Sequence, residues 1–534
     1  YAQYHAEYDT RGELVRESYY DTTGSLTIQK EYGYATVEYQ YDALGRRVRE
    51  AYYDIDGMPV ISLKLKCAGF ACTYDAMGNR TSAWYFDVKG QPMVRSNLGF
   101  AQYQREYDEW GNLVRESYFD VDGKPTLRKE YGYASITYQY DALGQCIQQT
   151  YWGTDGEKTI STKYHCAGQV YTYNEVGNQT DTWYIGLDEM PMVRSDLGYA
   201  HVHTEYDKLG NETKNVYYDA LGNLAVRLEY GYASATYEYN DLGQQISRDF
   251  WGPDGEPIIS TEYHCAGFTY AYDKQGNQID IWYTGLNGEI IVRSDLGFAH
   301  THYTYDQFGN KIREDYLGVN DNAAVWKEGG YSSAEYQYNV LGQKIQEKYY
   351  DINDWPIISK KYHCAGFLYT YDEKGSQTDI HYLGLDGEWM VRSDLGYAHV
   401  HYDYDEVGNE VRVAYFNANG EPTQWTEGGY SSRKYTFENG EWVTVQYRDE
   451  KGNLVLGTSD GCAEIKRSFN ELGQRISSRY YGTDGLPVIN SKYFCAGFDY
   501  TYDEQGNQID TWYIGLDGKR MVRSDLGYAH IHYD

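Results

Sequence analysis

The chain has 534 residues, is rich in Tyr (64) and Gly (56) but poor in Pro (9), and carries a formal net charge of −32. Such acidity repels phosphate backbones and anionic lipid, so we expect neither nucleic acid nor a membrane surface as a partner. No stretch approaches the ~20 apolar residues that span a bilayer, which predicts no membrane insertion within this segment. The sequence shows no initiator Met and no signal-like start, so we expect it to be a segment of a longer protein.

A Tyr followed by Asp or Asn recurs every 33 residues, and we call it the marker Tyr. A strict period of this length is the signature of a repeat architecture, in which each unit buries its apolar face against its neighbours. The sequence therefore predicts a single continuous repeat array over residues 1–534, with about sixteen units and an irregular unit at 437–468. The marker positions are Tyr8, Tyr41, Tyr74, Tyr107, Tyr140, Tyr173, Tyr206, Tyr239, Tyr272, Tyr305, Tyr338, Tyr371, Tyr404, Phe437, Phe469 and Tyr502.

A longer period of 99 residues is superimposed, because every third unit is most alike. First-type units carry Glu-Tyr-Gly-Tyr-Ala, as at residues 31–35. Second-type units carry His-Cys-Ala-Gly, as from His165, and third-type units carry Arg-Ser-Asp-Leu-Gly, as from Arg194. No linker separates the units, which favours one stack over a string of small domains.

A turn signal of the form Asp/Asn-x-x-Gly follows the marker, as at Asp42 with Gly45, and a second one lies twelve residues later in units such as that with Asp54 and Gly57. The Asx side chain bonds the turn backbone, and Gly takes a positive φ that other residues avoid. The segments between the turns have about six to eight residues, which is the length of a β-strand. The sequence predicts an all-β repeat array, either an elongated β-solenoid or a spiral of β-hairpins, with a 33-residue unit and a 99-residue super-repeat.

Four columns of similar residues predict the core. Counted from the marker, they are a β-branched residue at +7, an aromatic residue at +11, an aliphatic residue at +20 and a small residue at −6. We expect equal positions in successive units to be neighbours in space. With one coil per unit and about 4.8 Å between strands, the body is expected to be roughly 75–80 Å long. In the unit of Tyr41 the four residues are Val48, Tyr52, Ile61 and Ala35.

The run Tyr-x-Tyr-Asp-x-x-Gly at residues 39–45, 138–144 and 369–375 resembles the YD (Rhs-type) repeats of bacterial Rhs proteins, insecticidal toxin complexes and teneurins. The resemblance implies β-hairpins that spiral into large shells. The strict 33-residue period is longer than usual for that family, and nothing is similar to its self-cleaving cap or C-terminal toxin. The aromatic pairs before a turn, as at Tyr19 and Tyr20, have a weaker similarity to cell-wall and glucan-binding aromatic repeats.

His-x-His pairs are the sharpest candidate for chemistry, because residues two apart on a strand share a face and offer two imidazoles to a metal. Gln102 and Gln104 occupy the equivalent positions in an earlier unit, and successive pairs are three units apart. We therefore interpret the pairs as exposed polar residues. They are His201/His203, His300/His302, His399/His401 and His530/His532.

Cysteines and clustered Asp residues are the other candidates. Cys67, Cys166, Cys265, Cys364, Cys462 and Cys495 occupy position −7, where other units have an aromatic residue, so we expect buried and unpaired thiols. The Asp-x-Asp-Gly turns, as at residues 54–57, have the carboxylates for Ca²⁺ but no distant Glu to complete an EF-hand loop, so turn formation explains them better.

Polar residues recur along the chain and do not converge on one pocket, so we expect no enzyme and no catalytic, cofactor-binding or metal-binding residue. The favoured interpretation is a non-enzymatic structural repeat protein of a bacterial cell surface or the extracellular space, such as a fibre, stalk or scaffold that self-associates. One alternative is a multivalent glycan-binding array that contacts polysaccharide. The other is an Rhs-type shell enclosing a toxin. The glycan alternative relies on an exposed aromatic row at +12, formed by Tyr20, Tyr53, Phe119, Trp152, Trp251 and Tyr350.

Overall fold

The computed structural model describes residues 3–21, 24–438, 440–503 and 506–533, and its secondary structure is all β. No helix that could cross a membrane occurs in this described part of the chain. The strands are β1 (Gln3–Tyr8), β2 (Leu14–Tyr20), β3 (Thr36–Tyr41), β4 (Arg47–Tyr53), β5 (Gly69–Tyr74), β6 (Arg80–Phe86), β7 (Gln102–Tyr107), β8 (Leu113–Phe119), β9 (Ser135–Tyr140), β10 (Cys146–Trp152), β11 (Gly168–Tyr173), β12 (Gln179–Ile185), β13 (His201–Tyr206), β14 (Glu212–Tyr218), β15 (Ser234–Tyr239), β16 (Gln245–Trp251), β17 (Gly267–Tyr272), β18 (Gln278–Thr284), β19 (His300–Tyr305), β20 (Lys311–Leu317), β21 (Ser333–Tyr338), β22 (Lys344–Tyr350), β23 (Gly366–Tyr371), β24 (Gln377–Leu383), β25 (His399–Tyr404), β26 (Glu410–Phe416), β27 (Ser432–Glu438), β28 (Glu441–Arg448), β29 (Glu464–Phe469), β30 (Arg475–Tyr481), β31 (Gly497–Tyr502), β32 (Gln508–Ile514) and β33 (His530–His532).

Each strand pairs antiparallel with the strand that follows it in the chain, so the 33 strands form one continuous sheet. The hairpin β3–β4 pairs over six residues, whereas β4 and β5 of consecutive units pair over three. Each unit therefore contributes two strands, and the expectation of one coil per unit is wrong. Equal positions in consecutive units lie about 9.6 Å apart, and the sheet measures about 155 Å along its strand-to-strand direction.

The predicted turns are confirmed, and those that begin with Asp or Asn close on that side chain. At the turn between β3 and β4, the Gly45 amide donates to the Asp42 carbonyl, and φ of Gly45 is 77°. Asp42 Oδ1 accepts from the amides of Leu44 and Arg46. The turn after β4 has the same form, with Asp54 Oδ1 accepting from the amides of Asp56 and Met58. In other units the second turn begins with Gly, as at Gly153, whose carbonyl accepts from the Gly156 amide.

A β-bulge lies opposite each marker Tyr. In the β3–β4 hairpin Gln40 lies opposite Arg49 and Tyr41 opposite Arg47, so Val48 at +7 has no partner across the ladder. An extra residue at a bulge leaves the regular alternation of faces. The predicted core position at +7 is therefore wrong, because the bulged side chain stays half-buried.

The predicted core positions at +11 and −6 are confirmed. Tyr52 and Tyr151 at +11 are fully buried, and so is Ala35 at −6. Where the −7 residue is aromatic, its ring packs between successive +11 rings. The Tyr34 ring lies 4.9 Å from that of Tyr52. The +11 rings of neighbouring units are two strands apart, so they contact each other through the −7 ring between them.

The predicted core position at +20 is wrong for most units. Ile28 and Ile61 are buried, but most of the equivalent side chains from Val94 onward are exposed, and the preceding residue can turn inward, as Met93 does. The segment around +20 is held to the sheet by isolated backbone hydrogen bonds, such as that from the Val60 amide to the Tyr52 carbonyl. Side chains alternate faces along an extended segment, so a shift of one residue exchanges the buried and exposed columns.

The loop that follows each second turn explains the 99-residue period. Loops of consecutive units bond to each other where third-type meets first-type and where first-type meets second-type, as in Lys129 amide to Leu98 carbonyl and Thr162 amide to Tyr131 carbonyl. In the described part of the chain no such backbone bond joins a second-type loop to the third-type loop after it. We call this junction the seam.

One residue of each loop has a positive φ, and its identity also changes at the seam. A Cβ on Gly132 (φ 71°) would lie 2.6 Å from Thr162 Cγ2 of the next loop, so glycine is required there. At the seam the equivalent residue is His165, which is exposed and has φ 51°. The −7 position also changes at the seam, where Cys166 replaces a ring. The loops of three consecutive units thus bond to one another, and a seam separates each such block of three from the next.

The curved sheet returns to its own start after about thirteen units. A Cβ on Gly440 would lie 2.8 Å from Lys30 Nζ, although 410 residues separate the two in the chain. One repeat further along the first winding and two repeats further along the second, a Cβ on Gly506 would lie 2.9 Å from Leu63 Cδ2. Loops at one edge of the first winding therefore meet hairpin turns at the opposite edge of the second. A cleft of about 450 Å³ between the windings is lined by Thr27, Ile28 and Lys30 and by Glu438, Glu441 and Lys466, among others.

Candidate functional site: the Asp-His-His clusters

The strongest concentration of polar chemistry lies on the sheet face opposite the aromatic core. Asp181 and Trp183 lie on β12 and face His203 and His201, respectively, across the ladder to β13. Residues two apart on a strand share a face, so all four side chains lie on the same side. The third-type hairpin and the strand after it therefore bring one carboxylate and two imidazoles together.

Asp181 is the hub of its cluster. Its Oδ1 lies 2.8 Å from His201 Nε2 and 2.7 Å from His203 Nδ1. An ionised carboxylate only accepts hydrogen bonds, so both imidazoles donate, His201 from Nε2–H and His203 from Nδ1–H. The other oxygen, Oδ2, accepts from the hydroxyl of Thr172 on β11.

The cluster occurs four times, and eight of the 13 histidines belong to it. In every copy the Asp Oδ1 bonds Nε2 of the first His and Nδ1 of the second. The other copies are Asp280 with His300 and His302 (2.8 and 2.6 Å), Asp379 with His399 and His401 (2.7 and 2.6 Å) and Asp510 with His530 and His532 (2.5 and 2.8 Å).

Ring stacking fixes the first imidazole of each cluster. The His201 ring lies 3.5 Å from Trp183 and 5.1 Å from Tyr218, parallel to both within 17°. The sandwich buries His201 to 7% exposure. The interpretation of the pairs as exposed is therefore wrong for the first His, because the flanking aromatic rings cover it. The second His, such as His203, stays half-buried.

The electrostatics favour an ionised Asp181 beside a neutral His201. Burial raises the pKa of Asp181, but hydrogen bonds from Thr172, His203 and His201 outweigh it and lower the pKa to about 2. Burial lowers the pKa of His201, against the attraction of Asp181. At neutral pH the cluster thus presents an ionised carboxylate with two oriented imidazoles.

Residues 82–104 contain the same framework without the charged groups. Ser82, Gln102 and Gln104 stand where the other copies have Asp, His and His, and they pair in the same register. Trp84 keeps the stacking position, and Thr73 bonds Ser82 at 2.6 Å as Thr172 bonds Asp181. All three positions change together, which indicates that the Asp and both His act as one unit.

Sequence reasoning found the His pairs but missed the carboxylate. Asp181 is 20 residues before His201, and its nearness follows only from the β12–β13 register. A signal was available, because Asp occurs at +8 only in those third-type units that are followed by His-x-His. The expectation of no catalytic, cofactor-binding or metal-binding residue rested on His pairs without this third group.

The structure also locates the other candidates. The six −7 cysteines are buried, and all eight cysteines of the chain are free thiols in the described structure. The +12 row does lie on the face opposite +11, but all six named aromatics are half-buried, so the exposed row is wrong. Residues after the second turn cover it, as Pro59 bridges to Tyr53. The Asp54 carboxylate is occupied by turn amides.

No protein-family model and no curated protein matches this sequence. Among solved structures, a chain of the TcdB2-TccC3-TEV crystal structure is 12% identical with a TM-score of 0.41, and the match covers 95% of this chain and 26% of that one. A TcdB2-TccC3 chain without its hypervariable C-terminal region is 12% identical with a TM-score of 0.34, covering 99% and 26%. A chain of the Photorhabdus luminescens Tc holotoxin pore is 12% identical with a TM-score of 0.27, and the match covers 94% of this chain and 27% of that one. This chain spans about a quarter of the length of these chains.

Proposed function

We propose that this chain is a wall segment of a hollow Rhs-type shell and that its role is structural enclosure, not catalysis. The observation that carries the proposal is the return of the sheet to its own start, where Lys30 meets the turn at Gly440. A straight fibre keeps these residues apart. The YD-type motif of each unit supports the same architecture.

The dimensions suit an enclosure. About thirteen units of two strands each make a winding of roughly 125 Å, which corresponds to a diameter of about 40 Å at the sheet. Further windings of the same kind would extend the wall along its axis. A toxic polypeptide held inside a longer protein is the cargo we propose, and a secreted or cell-surface protein is the setting.

The two rival functions have less support. A fibre or stalk needs a ribbon that does not return on itself, and the contact between Leu63 and Gly506 opposes this. A glycan-binding array needs exposed aromatic rings in a row, but residues such as Tyr53 and Trp152 are half-buried. Neither rival explains why hairpin turns of one winding fit against the loops of another.

Lysine cross-linking tests the proposal directly. Lys30 and Lys466 line the same cleft, whereas a straight ribbon would hold them roughly 125 Å apart. A short amine-reactive cross-linker applied to the dilute monomer should join these two residues, as read by mass spectrometry of the peptides. Lys30 and Lys163 provide a matched pair from the first winding, which should stay unlinked.

Electron microscopy of the same sample gives the second test. Curved or ring-shaped particles with a stain-filled centre are expected. An extended rod without the link from Lys30 to Lys466 would overturn the shell and restore the fibre. The same link found only in dimers would assign the contact to association between copies and would also contradict the proposal.

A further inference from the structure

We propose that each Asp-His-His cluster binds a divalent transition-metal ion of the zinc class, giving four sites in a row along the polar face of the sheet. This inference is independent of the proposed shell and reverses the expectation of no metal-binding residue drawn from the His pairs alone. The structural addition is the carboxylate, which converts two imidazoles into a three-donor set.

The donor atoms suit such an ion in kind and spacing. In each cluster the carboxylate oxygen and the two imidazole nitrogens all lie within 4.8 Å of one another. Donors around a zinc-class ion lie about 2.0–2.2 Å from it, so they lie roughly 3 Å from each other. The oxygen-to-nitrogen distances of 2.8 and 2.7 Å at Asp181 are close to that value.

Two clusters also hold the far side of an imidazole with a second carboxylate. His300 points Nε2 at Asp280 and Nδ1 at Asp321, at 2.8 and 3.1 Å. His401 points Nδ1 at Asp379 and Nε2 at Asp403, at 2.6 and 3.1 Å. Carboxylates behind ligating imidazoles are common in metal sites, because they fix the ring and accept its remaining N–H.

The proton balance of binding follows from this arrangement. The ion takes the lone pair of the nitrogen that now donates to Asp, so this nitrogen gives up its proton. A neutral imidazole keeps one proton by moving to its other tautomer, with N–H on the far nitrogen. Where the tautomer changes in this way, no net proton leaves the site. In His300 and His401 the far nitrogen already faces a second carboxylate, that of Asp321 and Asp403, respectively. If that nitrogen carries its proton before binding, the ligating nitrogen releases one proton to solvent.

The chain contains its own comparison. Where the carboxylate is absent at Ser82, both imidazoles are also absent, at Gln102 and Gln104, although the backbone register and Trp84 are unchanged. Ser and two Gln in the same backbone register suffice for the fold there. The four Asp-His-His copies therefore carry chemistry that the local structure does not require.

The donor set also selects the class of ion. Two imidazoles and one carboxylate suit zinc-class ions and disfavour Ca²⁺ and Mg²⁺, which prefer oxygen. Three protein ligands leave a coordination position for water or for a group of a bound partner. The net charge of −32 adds a general attraction for cations. The first three sites are spaced about 29 Å apart, at six strands each.

Metal titration of the whole chain tests the inference. After treatment with a chelator, Co²⁺ titration followed by visible absorption should saturate at four equivalents. Zn²⁺ should displace the Co²⁺ signal, and millimolar Ca²⁺ or Mg²⁺ should leave it unchanged. Binding to the folded chain should also raise Tm with Zn²⁺ concentration.

Two variants separate these sites from the remaining histidines. Asp181→Asn keeps an acceptor for both imidazoles but removes the anionic ligand, and saturation should fall to three equivalents. The triple change Ser82→Asp, Gln102→His and Gln104→His copies the donor set onto the same framework, and saturation should rise to five. Far-UV circular dichroism checks that each variant is folded.

A clear failure is equally defined. Saturation that neither variant changes would overturn the inference and assign any binding to other side chains. Absence of a Co²⁺ visible spectrum in a folded chain would do the same and leave the clusters as hydrogen-bonded trios. Displacement of Co²⁺ by millimolar Ca²⁺ would contradict the zinc class.

Discussion

The hydroxyl of Tyr173 donates a hydrogen bond of 2.7 Å to the backbone carbonyl of Cys146, which lies 27 residues earlier. Strands β10 and β11 pair over only three residues, and this pairing ends before Cys146. The marker Tyr thus satisfies a carbonyl at the bulge, where the ladder between units has opened. The same bond recurs at other markers, as from Tyr140 to Leu113 and from Tyr371 to Lys344.

Removing this hydroxyl should weaken the joint between two units. Tyr173→Phe leaves the ring in place and the Cys146 carbonyl without its donor, so we expect the free energy of unfolding to fall by about 1 kcal/mol. Urea denaturation followed by tryptophan fluorescence measures this. Tyr8→Phe is the matched control, since Tyr8 is 62% exposed and its loss should change little. Equal effects at both positions would contradict the role assigned to the bond.

The left-handed loop residues predict a pair of opposite effects. His165 is exposed and has φ 51°, so His165→Gly should stabilise the protein by about 1 kcal/mol through relief of strain. Gly132→Ala should destabilise it by about 2 kcal/mol or more, because its Cβ would collide with Thr162. Thermal unfolding compares the two. A stabilising Gly132→Ala would show that the loops do not pack as described.

The buried thiols predict low reactivity and sensitivity to alkali. Burial raises the pKa of Cys166 to about 11, and that of Cys265 and Cys364 likewise to about 11, from an ordinary value of 9.0. The folded state therefore keeps protons that the unfolded state loses above pH 9. Stability from this source is complete below pH 9 and is lost as the pH rises from 9 to 11.

A thiol reagent at pH 7.5 measures the same burial. The native protein should react first at Cys146, which is half-buried, and the −7 thiols should react only after denaturation. Rapid reaction of all eight thiols in the folded protein would show that the −7 column is exposed. Unfolding curves at pH 8, 9.5 and 10.5 test the alkaline loss independently.

The contact between windings predicts a change of shape without a change of secondary structure. Burial lowers the pKa of Lys30, and the nearby Glu441 opposes this. Lys30→Glu places like charges in the cleft with Glu438 and Glu441, weakening the contact by on the order of 1 kcal/mol. Small-angle X-ray scattering should show a more open particle, while circular dichroism stays constant. Lys89→Glu, an equal charge change on an exposed turn, should leave the scattering unchanged.

Sequence patterns predicted what depends on local rules. The spacing of Asp42 and Gly45 implied a tight turn, because a carboxylate and a positive φ are both fixed within four residues. The exchange of Tyr34 with Cys67 at one position implied a buried column, since both residue types favour the interior. These inferences need no knowledge of strand pairing, and the structure confirms them.

The sequence did not predict the features that depend on the register between strands. The bulge at Val48 adds one residue to a strand, and a shift of one residue moves side chains to the other face. Val94 and Met93 exchanged their expected positions for the same reason. The carboxylate of Asp181 reached its imidazoles through pairing between strands of different units. The two-strand unit likewise followed from pairing, which the period of 33 residues leaves open.

Pairing between consecutive strands alone sets an order of assembly. A hairpin such as β3–β4 needs only residues that are already synthesised when its second strand leaves the ribosome, and the next hairpin adds to that finished edge. Chains with such short-range contacts fold quickly and without long unpaired intermediates. The contact of Lys30 with the turn at Gly440 is the exception, because it must wait for 410 further residues. The sheet can therefore grow during translation, and closure of the first winding comes late.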